Sequence, residues 1–82
     1  KKIIDGKKYD TDTAEEIAQS HREDWHYTYY RKKTGEIFVH EESTYEGQRD
    51  TISPLWGEEA KRTLEELLSV EDYEKIFGFV EE

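Results

Sequence analysis

Residues Trp25 to Glu42 constrain the fold more than any other stretch of this chain. Aromatic and β-branched residues flank Lys33-Thr34-Gly35, and Gly35 suits the left-handed position that closes a three-residue hairpin loop. That loop sets a register in which Tyr30 faces Phe38, Tyr29 faces Val39 and Thr28 faces His40. One side then carries Trp25, Tyr27, Tyr29, Ile37 and Val39, which we take as the core face. The other carries His26, Thr28, Tyr30, Phe38 and His40, a more polar side suited to solvent or to a partner.

The flanking segments follow from turn and cap chemistry. Asp5-Gly6 lies between two short arms, Lys2-Ile3-Ile4 and Lys7-Lys8-Tyr9, and is the dipeptide that best tolerates a tight type I′ turn. A small hairpin is expected there. Asp10, Thr11, Asp12 and Thr13 offer capping oxygens, Thr13 and Glu16 have capping-box spacing, and Ala14, Ile17 and Ala18 recur at helical intervals. These predict a helix from about Thr13 to His21. Residues Glu42 to Asp50 read as a polar loop around Gly47, and Thr51-Ile52 as a short strand that Ser53-Pro54 stops, since proline lacks the ladder amide.

The C-terminal part reads as helical. Ala60, Leu64, Leu67 and Leu68 form one apolar stripe, which leaves Glu58, Glu59, Glu65 and Glu66 to solvent. Ser69 followed by Asp72 predicts a second cap, after which Val70, Tyr73, Ile76 and Phe77 pack and Gly78 ends the helix. The expected fold is α+β: a small antiparallel sheet of two hairpins packed with two to three helices. Eighty-two residues fit one domain. Absence of cysteine and of a long apolar run points to a protein of the cytoplasm.

Charge narrows the function classes. Residues 1–40 hold eight Lys/Arg and eight Asp/Glu, whereas residues 41–82 hold four against thirteen, so the net charge of -9 belongs to the second half. Such a field repels nucleic acid and favours a basic protein surface, over a reach of about 8 to 10 Å at ordinary ionic strength. Glu65, Glu66, Glu71, Asp72 and Glu74, near the junction of the last two helices, are therefore the first candidate contacts for a groove of Arg and Lys. Glu-rich helix faces also serve solubility alone. Tyr30, Phe38 and His40, on the polar side of the hairpin, are the second candidate contact set.

Other chemistries find less support. His26 and His40 sit diagonally, and Glu42 offers a third metal ligand, but paired strand histidines are far more often ordinary polar positions, and His21 has no partner at a recognisable spacing. Neither metal nor cofactor is expected. The carboxylates lie in solvated acidic runs that would not separate their pKa values, and Ser43, Ser53 and Ser69 occupy loop or cap contexts, so no enzyme is expected. Tyr27, Tyr29, Tyr30, Arg31, Lys32 and Lys33 combine aromatics with basic residues as a stacking platform does. Burial of one hairpin side and a sequence pI near 4.8 weigh against direct nucleic-acid binding.

The motifs also carry a resemblance. The pattern Lys-x-Ile-x-Gly-Lys-x-Tyr-Asp-Thr-x-Thr-Ala, here Lys2, Ile4, Gly6, Lys7, Tyr9, Asp10, Thr11, Thr13 and Ala14, is similar to the start of small proteins abundant on phages and mobile elements of Firmicutes. Tyr29 to Phe38 resembles that family's Leu-Tyr-Arg-x-x-x-Gly-x-Trp/Tyr-Phe hairpin. Ile52-Ser53-Pro54-Leu55 before Glu58-Glu59-Ala60 resembles its Ile-x-Pro-Leu-x-x-Glu-Glu-Ala segment. Two departures stand out: Glu41 to Gly47 replaces a longer Gly-rich segment, and Trp56-Gly57 stands where a Ser cap and an acidic residue are common. Some members of the family are associated with anti-CRISPR activity against type II effector nucleases. The resemblance implies an inhibitor in the bacterial host cell, and the alternative reading is an interaction adaptor using the aromatic hairpin face.

Overall fold

The computed structural model describes residues 1–44 and 50–78. Its elements are β1 (Lys2–Ile4), β2 (Lys7–Tyr9), β3 (Glu15–Arg22), β4 (Trp25–Arg31), β5 (Ile37–Ser43), β6 (Thr51–Leu55), α1 (Gly57–Glu65) and α2 (Val70–Phe77). Strands β1 and β2 form a two-stranded sheet, and β3-β4-β5-β6 form a four-stranded antiparallel one. The fold is α+β. Asp5 and Gly6 both take positive φ, as a primed turn requires, and Gly35 has φ +94° at the β4–β5 turn. The expected register holds, with Tyr30 opposite Phe38, Tyr29 opposite Val39 and Thr28 opposite His40.

The helix expected over Thr13 to His21 is instead β3. Its capping residues form a turn: the Asp10 carboxylate accepts the Asp12 amide at 2.9 Å, and the Asp10 carbonyl accepts the Thr13 and Ala14 amides. Strand β3 then pairs with β4 through a bulge, Glu16 facing Tyr30 and Ala18 facing Tyr29, with Ile17 as the extra residue. The bulge turns Ile17 and Ala18 to one face, whereas Ala14 packs on the other. A spacing of 14, 17 and 18 imitates a helical stripe for that reason.

Both faces of the sheet are covered. On one, Tyr29, Ile37 and Val39 meet Ala60 and Leu64 of α1, with Leu68, Ile76 and Phe77 packed against them. On the other, Tyr9 of the small hairpin covers Phe38 and Ile52. Phe38 is 0% exposed, with Tyr9 edge-on at 5.4 Å and Tyr30 stacked at 5.2 Å. The expected open side of the hairpin is thus a second core, and Phe38 is not available to a partner.

Smaller differences concern ends. Strand β6 continues through Pro54 to Leu55 because it is an edge strand, whose outward amides the ladder does not need. Strand β5 extends to Ser43, and the Gly47 centre of the expected loop lies outside the described residues. The Ser69 hydroxyl accepts the Asp72 amide at 3.2 Å, and Gly78 ends α2 at φ +94°, as expected. Val70, however, is 71% exposed and lies outside both core clusters of the described residues. Among the described residues no helix is long and apolar enough to cross a membrane.

Candidate functional site

Helices α1 and α2 meet through a short turn, Glu66 to Ser69, which presents acidic residues alternating with apolar ones. Glu65 and Glu66 end α1 and are exposed, as are Glu71 and Asp72 in the first turn of α2. Leu67 and Val70 lie between them at 37% and 71% exposure. Glu65, Leu68, Val70 and Tyr73 line a hollow of about 200 Å³. A basic side chain with an aliphatic stem has both chemistries matched there, its head by carboxylate and its stem by Val70 and Leu68.

The five acidic candidates do not form one cluster. Glu65 borders the Val70 hollow, Glu66 borders a second hollow with Arg22, Arg62 and Leu67, and Asp72 shares a third with Glu15, Glu16, Arg31 and Lys75. Glu74 is half-buried, and its carbonyl accepts the Gly78 amide at 2.8 Å. The arrangement is a band of spaced charges along the helical layer.

Helix electrostatics separate these residues into two groups. Glu71 and Asp72 sit at the positive N-terminal end of α2, where an anion stabilises the helix by about 0.3 to 1 kcal/mol. Glu65 and Glu66 occupy the negative C-terminal end of α1, where the same interaction has the opposite sign. The fold accounts for the first pair and opposes the second.

The remaining candidates are placed as follows. Tyr30 is half-buried against Phe38, and its hydroxyl pKa is raised by burial first and by Glu16, Glu42 and Asp12 next. The His40 ring lies between two carboxylates, with Nδ1 3.5 Å from Glu42 and Nε2 3.4 Å from Asp50. His26 is not part of that pairing. Its Nε2 lies 3.1 Å from the Gln19 carbonyl oxygen, whose amide donates to Glu16 at 2.8 Å, and its ring stacks on His21 at 4.4 Å. The His21 partnership was hidden from the sequence because it depends on β3 being a strand, where His21 faces His26 directly. Among the described residues no group of three or more His, Asp or Glu side chains is arranged to hold a metal ion.

Comparison of the chain with family models, with curated proteins and with solved structures returned no match.

Proposed function

We propose that this protein is a non-enzymatic inhibitor that docks its acidic helical layer onto a cationic protein groove in the bacterial cytoplasm. The observation that carries the reading is the placement of Glu65 and Glu66. Two exposed anions at the wrong end of a helix lower its stability, and residues that oppose the fold are where function is sought. Exposed Leu67 and Val70 beside them supply the apolar contact that a purely solubilising face does not need. The resemblance to phage and mobile-element proteins makes a type II CRISPR effector nuclease the target of choice, with acidic side chains occupying the path of guide or target phosphates.

Purified protein added to a panel of type II effector nucleases before or after guide loading tests the proposal. Inhibition of target cleavage is expected, and its dependence on order distinguishes a guide block from a target block. Reversing Glu65 and Glu66 to Lys is expected to slow association by about tenfold or more and to flatten its salt dependence. Unchanged inhibition by that variant overturns the groove mechanism. The alternative adaptor reading rested on Tyr30, Phe38 and His40, and it loses its central contact because Phe38 is enclosed.

A further inference from the structure

The basic residues of the first half converge in space. The β1–β2 hairpin brings Lys7 and Lys8 to the β4–β5 turn, where they line a cleft of about 360 Å³ with Lys32, Lys33, Thr13 and Thr34. Two carboxylates, Asp10 and Glu36, also line it. Each is bracketed by two ammonium groups. Glu36 lies 3.4 Å from Lys7 and 3.6 Å from Lys32; Asp10 lies 3.9 Å from Lys8 and 4.0 Å from Lys1. The lining holds four lysines against these two carboxylates, which leaves two positive charges over, and Lys1 approaches Asp10 from outside the lining. In a chain of net charge -9 this is a concentrated cationic site.

An exposed aromatic ring lies beside Lys7, one of the cleft's lysines. Trp56 is 54% exposed, and Lys7 Nζ sits 5.4 Å from its ring centroid. Trp56 also occupies the N-cap of α1 and makes no side-chain capping hydrogen bond, at a position where Ser, Thr, Asp or Asn would satisfy a free amide. A large apolar side chain is therefore displayed where a small polar one would stabilise the helix.

From this geometry we propose that the Lys7/Lys8/Lys32/Lys33 cleft and Trp56 bind single-stranded nucleic acid, with phosphates against the lysines and a base stacked on the indole. The site goes beyond the acidic docking face and does not depend on it. Cationic grooves combined with an aromatic platform bind single strands with little sequence preference. At about 0.1 M salt the screening length is near 10 Å, so the more distant carboxylates are largely screened, whereas Glu58 and Glu59 in the helical turn that Trp56 caps oppose the strand.

Fluorescence anisotropy of labelled oligothymidylate and oligouridylate, read between about 50 and 200 mM salt, tests the site. Two to three phosphate contacts give a log–log salt slope of about -1.4 to -2. Lys33→Glu and Arg22→Glu change net charge equally, but Arg22 lies at the opposite end of β4, beside Trp25. Binding weakened by Lys33→Glu and by Lys8→Glu but unchanged in Arg22→Glu supports the cleft. Equal weakening in all three, or no binding by the native chain, overturns it. Trp56→Ser is expected to raise the melting temperature while reducing affinity, and unreduced affinity removes the stacking role. Duplex DNA bound as tightly as the single strands refutes the single-strand specificity.

Discussion

The two sides of the four-stranded sheet are built from different materials and teach different lessons. The helical side is mainly aliphatic, with Ile37 and Val39 meeting Ala60 and Leu64, and the helices that cover it turn a band of carboxylates outward. The hairpin side is aromatic, with Tyr9, Phe38 and Tyr30 in ring contact, and it is bordered by lysines. A domain this small has little apolar material, and here the same central strand, β5, supplies both cores with consecutive residues: Ile37 and Val39 to one, Phe38 to the other. Opposite charge on the two sides follows from which segments cover them, acidic helices on one and a lysine-rich hairpin on the other.

The sharpest way to break this comparison is to empty each core in turn. Phe38 and Leu64 are both 0% exposed, one on each side. Phe38→Ala is expected to cost about 3 to 5 kcal/mol and Leu64→Ala about 2 to 5, the first larger in urea unfolding. Total stabilities of such domains are about 5 to 15 kcal/mol, so either variant is substantially unfolded if the native value is at the low end. A cost for Phe38→Ala well below that of Leu64→Ala would show the small hairpin to be an appendage, with one core and not two.

The same comparison explains what was legible in the sequence. The helical side could be read because Ala60 and Leu64 repeat at helical spacing, Ser69 announces its cap and Gly78 its stop. The β4–β5 register was legible because Gly35 fixes the turn. The hairpin side was not, since alternation in a strand buried on both faces gives no clue to which face is open, and no local pattern places Tyr9 over Phe38. Strand β3 imitates a helix for a local reason, the bulge at Ile17. Of the candidate contacts, exposure of Glu65, Glu66, Glu71 and Asp72 follows from helix periodicity, whereas only the Lys32-Lys33 part of the cleft has a local signature, and its joining to Lys7 and Lys8 depends on residues distant in sequence.

A change confined to the helical side comes next in size. Deleting Ile17 removes the bulge but leaves every other β3–β4 pair in place, because Glu16 still faces Tyr30 and Ala18 still faces Tyr29. The loss is then the burial of one half-buried isoleucine, about 1 to 2 kcal/mol by urea unfolding. The His21–His26 stack and the Arg22–Trp25 pairing persist. A loss comparable to Phe38→Ala means that Ile17 sets the path of β3 and is more than filler on that side.

The smallest effect belongs to the hairpin side alone and is read through pH. Burial by itself raises the Glu36 pKa, but the Lys32 and Lys7 ammonium groups outweigh it, so the carboxyl is held below the ordinary glutamate range. A carboxylate with a lowered folded pKa stabilises the native state fully above its unfolded value, about 4.3, and that contribution drains away as pH falls through the folded value. Glu36→Gln is therefore expected to lower stability at neutral pH and to converge toward the native protein as the solution is acidified below about pH 4. Leu64→Ala has no such group, and its deficit stays constant over the same range. A Glu36→Gln deficit that is equally flat would mean that the ammonium pairs around Glu36 add nothing to folding, leaving those lysines to be explained by the ligand they attract.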